Sequence, residues 1–346
     1  MGKSSMLAFV EDHLGGEHIV IRLSAETADF GVFADRLLSA LSTHSVLRAE
    51  LSLWHIEVDF GKLGIPVRVH RDPKKRDKEV RSTDDIFDVA CKAAGDSKLI
   101  LILDEITVLA HELQQQDPGQ GLELFRSLKR ARDRHQNLVM IFSGSIGLHH
   151  ALSDRTPVNE LRTVAIGPLL HDDAVCLARC LILGAEVLVD DDVVVAEEIA
   201  TQTDGIAFYI HHVVEAARGC GGTLTPSDVR DTIWSAITDP DDPWHFGHYE
   251  ARLQNYYGDS HETVGFLLDE IALATDGPTI DDLALALSTR GADPDLSRSE
   301  LVNLCRRLEQ DHYIVRDSGA VKDAGRLKFA SNLLRDAWRY RRQLSR

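Results

Sequence analysis

Three short stretches carry residue types that, placed together, do phosphate chemistry. Gly2-Lys3-Ser4 opens a helical pattern that runs from Ser4 to Leu14. In a loop of the form G-x-x-x-x-G-K-[ST], backbone N–H groups at a helix N-terminus cradle phosphate oxygens, the lysine meets the β and γ oxygens, and the hydroxyl holds magnesium. Only the second half of that pattern is written here, since the first glycine and the strand feeding it would precede Met1. A Gly-Lys-Ser tripeptide at a terminus is, by itself, more often chance than a site.

The second stretch is Lys98 to Leu103, a continuous apolar run that ends in Asp104-Glu105. A strand covered on both faces and ending in adjacent acids places one carboxylate on Mg2+, directly or through water, and the next beside an attacking water. Asp104 takes the first role and Glu105 the second; the alternative is an ordinary strand end with solvated acids. Leu138 to Phe142 reads as another such strand, and it ends in Ser143-Gly144-Ser145, where Ser143 or Ser145 would sense a γ-phosphate. Roughly one hundred residues separate the Gly-Lys-Ser helix start from the paired acids. That order of helix start, acidic strand end and polar strand end weighs against coincidence.

Other chemistry is poorly supported. The five cysteines are odd in number and scattered, which argues against a disulfide framework. Cys176 and Cys180 stand one helical turn apart, but with no second pair or nearby histidine at ligand spacing they read as buried small hydrophobes rather than metal ligands. The adjacent pairs His149-His150 and His211-His212 diverge by about 100° on a helix and read as surface or half-buried residues. Gly144-Ser145-Ile146-Gly147 lacks the Gly-x-Ser-x-Gly spacing of a serine-hydrolase nucleophile elbow.

The elements that must position these residues alternate between strand and helix as far as residue 170, the signature of βα units around a mostly parallel sheet. Ser4 to Leu14 is a helix closed by Gly15-Gly16, His18 to Leu23 a strand, and Phe30 to Leu41 a helix. Trp54 to Val69 alternates and carries Gly61, Gly64 and Pro66, so it reads as a hairpin-like insertion running into the charged loop Arg71 to Arg81. Ser82-Thr83-Asp84-Asp85 has capping-box spacing before a helix from Ile86 to Ala94, and Gly121 to His135 is a basic helix. Beyond residue 170 the period is helical: Asp172 to Leu183, Val193 to Thr203, Tyr209 to Arg218 and Pro226 to Ile237, with Asp239 to Pro243 as a linker. Helices at His261 to Ala274, Ile280 to Ser288 and Ser297 to Asp311 precede the short strands Tyr313 to Arg316 and Leu327 to Ala330, which is winged-helix order. The tail from Arg326 to Arg346 holds seven Lys or Arg against the single acid Asp336.

With 346 residues, 44% of them hydrophobic, the chain is long enough for two or three domains with their own cores, which excludes disorder for most of it. The net charge of -17 lies outside the basic tail. No apolar run approaches the roughly 18 residues of a spanning helix, and the first residues lack a signal-peptide pattern, so a cytoplasmic location away from membranes is expected.

Met1-Gly2-Lys3-Ser4-Ser5-Met6-Leu7, Leu101 to Glu105, Ile141 to Leu148 and Thr203 to Ile210 resemble the archaeal-type ATPases on the STAND and origin-recognition side of the AAA+ P-loop ATPases. His248 to Leu253 and Leu308 to Ile314 are similar to the helical and winged-helix parts of such proteins. The resemblance implies an α/β fold with three parts: a P-loop core over residues 1–170, an all-α lid over 171–238 and a winged-helix domain over 239–346. It implies ATP or ADP with Mg2+ as ligands. Carried onto this chain, Gly2, Lys3, Ser4 and Ser5 bind phosphate, Ser4 and Asp104 hold magnesium, Glu105 orients the water and Ser143 is the first sensor. Arg162 falls where such proteins often carry an arginine facing a neighbour's nucleotide, which implies self-association; a structural salt bridge is the competing reading. Gly205 to Tyr209 matches the lid motif Gly-x-Pro, with Ala207 in place of proline.

Two explanations compete for the half loop: a start assigned at an internal methionine of a longer gene, or a degenerate ATPase. Intact Lys3, Ser4, Asp104 and Glu105 favour the first, which expects upstream codons for an apolar strand and a glycine four residues before Met1. The expected function is an ATP-driven conformational switch. The alternative is a winged-helix module that binds nucleic acid or docks a protein over a non-hydrolysing core. Arg306, Arg307 and the basic tail favour DNA, while Glu300, Glu309 and Asp311 oppose it.

Overall fold

The structure, a computed structural model, describes residues 2–27, 30–51, 54–58, 67–71, 83–152, 154–219, 221–290, 295–317 and 325–344. It divides into two compact units, Lys3–Val164 and Ala165–Arg346, the latter together with Met1–Gly2. The first runs α1 (Lys3–Leu14), β1 (Ile19–Ser24), α2 (Phe30–Leu41), α3 (Ser45–Leu51), β2 (Trp54–Val58), β3 (Val67–Arg71), α4 (Thr83–Ala94), β4 (Leu99–Asp104), α5 (Ile106–Gln116), α6 (Gln120–Arg134), β5 (Leu138–Phe142) and the single turn α7 (Leu148–Ala151). β1, β4 and β5 pair in that order as a parallel sheet. β2 and β3 form an antiparallel pair with Trp54 opposite Arg71, the hairpin expected from the alternation there. Most of the charged loop expected after it, and Ser82 of the expected capping box, lie outside the described residues.

β4 is central because every position from Leu99 to Leu103 is apolar and buried, so both faces of the strand need cover. Ile100 and Ile102 face α1, where they meet Leu7 with Val10 and Leu14 alongside, a helical stripe at spacings of three and four residues. Leu99, Leu101 and Leu103 face the larger core with Phe33 and Leu37 of α2, Phe87 of α4, Leu109 of α5 and Phe125 of α6. Each fully buried side chain of this size contributes about 1.5–3 kcal/mol. β5 departs from expectation. It is the edge of the described sheet, and only Leu138 is buried while Val139 to Phe142 are half-buried.

In the first unit α3, α5 and the single turn α7 are additions to the sequence reading. α3 is short, and α5 buries Ile106, Leu109, Ala110 and Leu113 in a regular helical stripe directly after the paired acids.

The second unit runs α8 (His171–Gly184), α9 (Asp192–Gln202), α10 (Ala207–Arg218), α11 (Pro226–Thr238), α12 (Gly247–Tyr257), α13 (His261–Leu273), α14 (Ile280–Arg290), α15 (Arg298–Gln310), β6 (Ile314–Arg316), β7 (Leu327–Phe329) and α16 (Asn332–Arg341). β6 and β7 pair antiparallel. Thr225 and Ser297 each close a reciprocal capping box, on Asp228 and Glu300, which fixes where α11 and α15 begin.

Two expectations are corrected here. Cys176 and Cys180 are exposed, because α8 buries Ala174, Ala178 and Ile182 and turns the cysteines away from that stripe. The basic tail is largely the helix α16, whose Leu333, Leu334, Ala337 and Trp338 are buried. Leu333, Leu334 and Ala337 join the apolar cluster of α8 to α11, and Trp338 joins that of α12 to α15, so α16 is shared by both. Its arginines are held by acids: Arg341 lies 3.6 Å from Asp242, and Arg342 lies 2.8 Å from Asp269.

Candidate functional site

Parallel strands expose unpaired backbone and side chains at their carboxyl ends, and ligands of open α/β sheets bind in that crevice. The register brings these ends level, with Ser24 of β1 opposite Asp104 of β4 and Leu103 opposite Phe142 of β5. α1 starts at the same end. Its first residue, Lys3, donates from Nζ to the carbonyl oxygen of Gly144 at 2.5 Å, just past the end of β5. The first turn of a helix presents N–H groups without intrahelical partners, so this crevice holds a positive helix end and an ammonium.

Asp104 sits among them with its side chain 14% exposed. Its Oδ1 accepts from the Ser143 hydroxyl, and its Oδ2 accepts from Arg22 Nη2 at 3.1 Å. Ser143 is fixed on both sides. Its N–H donates to Leu103 O at 3.0 Å, and its carbonyl accepts from Ile106 N at 3.1 Å. Glu105 takes the left-handed conformation, with φ of 58°, a backbone state that costs a non-glycine residue roughly 1 kcal/mol. That twist turns its carboxylate toward the next loop, where Oε2 accepts from both the N–H and the hydroxyl of Ser145 at 2.7 Å.

Gly144 is required by close approach. A Cβ there would stand 1.8 Å from Thr107 Oγ1 of α5. The loop Ser143-Gly144-Ser145 is thus pressed against α5 while each of its residues bonds to Asp104, Lys3 or Glu105.

The structure therefore brings together Lys3, Asp104, Glu105 and Ser143 of the residues expected from sequence. Gly2 lies just ahead of α1, exposed and at a φ of 70°, and Ser4 and Ser5 are exposed on the first turn. Arg162 is exposed, and among the described residues no hydrogen bond or ion pair joins it to this cluster. Gly205 belongs to the second unit. There it has a φ of 67°, a Cβ would meet Leu169 O at 2.6 Å, and its carbonyl accepts from Leu169 N at 2.9 Å. α10 begins at Ala207 without the proline of the lid motif, so that helix start survives the substitution. The preceding residue, Asp204, accepts from Ser331 Oγ at 2.8 Å and Leu333 N at 3.0 Å, which ties this turn to the start of α16.

Sequence reasoning missed two members of the site, Arg22 and Thr107, and gave a third, Ser145, without its partner. Arg22 was legible as a lone cation in the apolar run Ile19 to Leu23. Ser145 was noted only as an alternative sensor, and Thr107 gave no signal, since its contact with Gly144 is made across the fold.

The donor set fits a magnesium-bound phosphate. Asp104 offers a hard carboxylate oxygen of the kind Mg2+ takes, and Lys3 with the α1 N-terminus offers the charge and N–H groups that hold phosphate.

No family model matches the chain, and no curated protein matches it. Solved structures similar to it include a Thermotoga maritima RuvB variant, at 15% identity over 63% of this chain and 64% of that one, with a TM-score of 0.33. This chain thus spans under two thirds of that protein. The Aeropyrum pernix ORC2 protein, in its ADPNP and ADP complexes, is similar at 15% identity over 99% of this chain and 86% of that one, with a TM-score of 0.37. Drosophila ORC bound to DNA is similar at 14% identity over 99% and 85%, with a TM-score of 0.32. These are distant likenesses, and the functional reading rests on the site. Among the described residues no helix is long and apolar enough to cross a membrane.

Proposed function

We propose that this chain binds ATP with Mg2+ and hydrolyses it as an AAA+ type P-loop ATPase, using the nucleotide to switch conformation. The observation that carries the reading is the convergence of Lys3, at the first residue of α1, with Asp104, Glu105 and Ser143 at the carboxyl ends of two parallel strands. In this reading Lys3 exchanges the Gly144 carbonyl for phosphate oxygens, assisted by the N–H groups of Ser4 and Ser5. Asp104 and the Ser4 hydroxyl would hold the metal, which would supply neutralisation of the phosphate charge. Glu105 orients the attacking water and accepts its proton, and Ser143 reports the γ-phosphate to β5.

The finer parts of the proposal follow the family resemblance. They are a core over 1–170, a lid over 171–238 with Gly205 toward the base, a winged helix over 239–346, and Arg162 reaching a neighbouring copy's nucleotide. For the C-terminal region the ion pairs favour protein docking over DNA. Arg316 bonds to Glu309 and Lys328 to Asp317, Arg341 and Arg342 are paired as above, and Arg307 packs over the Tyr257 ring at 4.6 Å. These cations are already neutralised or covered, while Arg306 is exposed on α15.

The test is equilibrium binding of a fluorescent ATP analogue in Mg2+, competed with unlabelled ATP. Lys3→Ala is expected to weaken binding about tenfold to a hundredfold, the weight of a charge-assisted hydrogen bond to phosphate. Saturable binding that Lys3→Ala leaves unchanged refutes the site.

A further inference from the structure

Arg22 is out of place in a strand whose other residues from Ile19 to Leu23 are apolar. It points to the α1 face of the sheet, the side of Val20, Ile100 and Ile102, where its side chain is 25% exposed. A guanidinium there needs acceptors, because a charge withdrawn from water is costly unless it is paired. It has two within reach: Asp104 Oδ2 at 3.1 Å, and Glu11 Oε2 on α1 at 4.0 Å. The other oxygen of Asp104 is taken by the Ser143 hydroxyl. The carboxylate that a divalent cation needs is thus already shared between a hydroxyl and a fixed positive charge.

We propose that Arg22 is a built-in counter-ion of Asp104 that competes with the divalent cation, and that metal entry transfers the guanidinium from Asp104 to Glu11. The inference rests on the reading of Asp104 as the magnesium ligand. Arg22 is a positioning residue that acts through Asp104. Two physical features support the exchange. A doubly charged ion held by Asp104 would share that carboxylate with the guanidinium, and the two like charges would repel. Glu11 offers the displaced arginine a carboxylate on the same face, so the transfer leaves no charge unpaired. Glu11 also lies on the helix whose first turn carries Lys3 and Ser4, so the side chain that leaves Asp104 binds the phosphate-facing helix more tightly. Metal occupancy and the placement of α1 are thereby linked.

The test uses Mn2+ as the probe, with free Mn2+ measured by electron paramagnetic resonance on the full chain, with and without ADP. Removing the competing charge in Arg22→Gln is expected to tighten Mn2+ binding about tenfold or more. Glu11→Gln removes the second acceptor and is expected to weaken binding several-fold in the presence of Arg22. The double variant Arg22→Gln/Glu11→Gln is expected to bind like Arg22→Gln alone, because Glu11 acts through the arginine; a purely structural ion pair has no such non-additivity. Asp104→Asn abolishes the site, and circular dichroism melts confirm that each variant is folded.

The inference is overturned by a folded Arg22→Gln whose Mn2+ affinity equals or falls below that of the wild type, while ATP-analogue binding still depends on Lys3. If neither Mn2+ nor the ATP analogue binds to any variant, the nucleotide reading fails and the inference with it.

Discussion

Replacing Gly144 with alanine tests how firmly the loop after β5 is held. The new Cβ meets Thr107 at three atoms, Oγ1 at 1.8 Å, Cβ at 2.9 Å and Cγ2 at 3.0 Å. Rotating Thr107 about χ1 leaves its Cβ where it is, 2.9 Å from the added methyl, and the residue is 5% exposed on a helix anchored by the fully buried Ile106, Leu109 and Ala110. The loop has to move instead. Over-packing of this kind costs typically about 1–3 kcal/mol. Taking about 2 kcal/mol, at about 2–4 °C per kcal/mol for a unit of this size, the melting temperature falls by roughly 4–8 °C. The same shift moves the carbonyl that accepts from Lys3 and the hydroxyl on Asp104, so ATP-analogue affinity falls at least about tenfold.

Thr107→Ala supplies the control. Its hydroxyl is buried without a hydrogen-bond partner among the described residues, so removing it costs little, under about 1.5 kcal/mol. In the double variant the nearest contact becomes the Cβ at 2.9 Å, and a coupling of at least about 1 kcal/mol should appear. Differential scanning fluorimetry and the binding titration read both effects. A Gly144→Ala protein that melts within a degree of wild type, or a double variant no better than the sum of its singles, refutes this packing argument.

Asp204→Ala removes the acceptor of Ser331 and Leu333 and should destabilise the start of α16 by about 1–3 kcal/mol, seen as faster amide exchange across 332–341; unchanged exchange there contradicts the clamp. Native alkylation followed by peptide mapping should label Cys176 and Cys180 promptly and spare Cys91 and Cys305, whose thiols burial pushes up to about 12; rapid labelling of either buried thiol contradicts their placement. Asp228 and Glu300 are held below the usual carboxylate range, first by the side-chain hydrogen bonds of Thr225 and Ser297. Their stabilising effect is complete above the unfolded carboxylate range of about 4 and is lost as pH falls through the depressed values. Thr225→Ala should therefore lower the melting temperature at neutral pH, and its gap to wild type should narrow in acid without closing, since the Thr225 hydroxyl still accepts from the Asp228 N–H; a gap that does not narrow contradicts this.

The sheet was legible because its strands announce themselves. Leu99 to Leu103 has no polar position, and a strand like that has to lie between two helical layers. α1 was legible as far as Leu14 because Leu7, Val10 and Leu14 repeat at helical spacing and glycines follow. What linear reading could not supply was contact between segments far apart in the chain. Arg22 and Asp104 are brought together only by the pairing of β1 with β4, and Ser145 reaches Glu105 only because Glu105 adopts a left-handed backbone. Composition misled at the C-terminus, where a count of basic residues concealed the apolar face Leu333, Leu334, Ala337 and Trp338. Periodicity alone also gave no means of deciding which face of α8 would be covered, which is why Cys176 and Cys180 were expected inside.

The central claim is that Lys3, Asp104, Glu105 and Ser143 form one Mg-nucleotide site. Its most direct test is single-turnover hydrolysis of Mg-ATP measured beside equilibrium binding for wild type, Lys3→Ala and Glu105→Gln. The account predicts that Glu105→Gln binds ATP as tightly as wild type while its turnover falls by about a hundredfold or more, and that Lys3→Ala loses binding itself. Wild-type turnover in Glu105→Gln, or undiminished binding in Lys3→Ala, contradicts it.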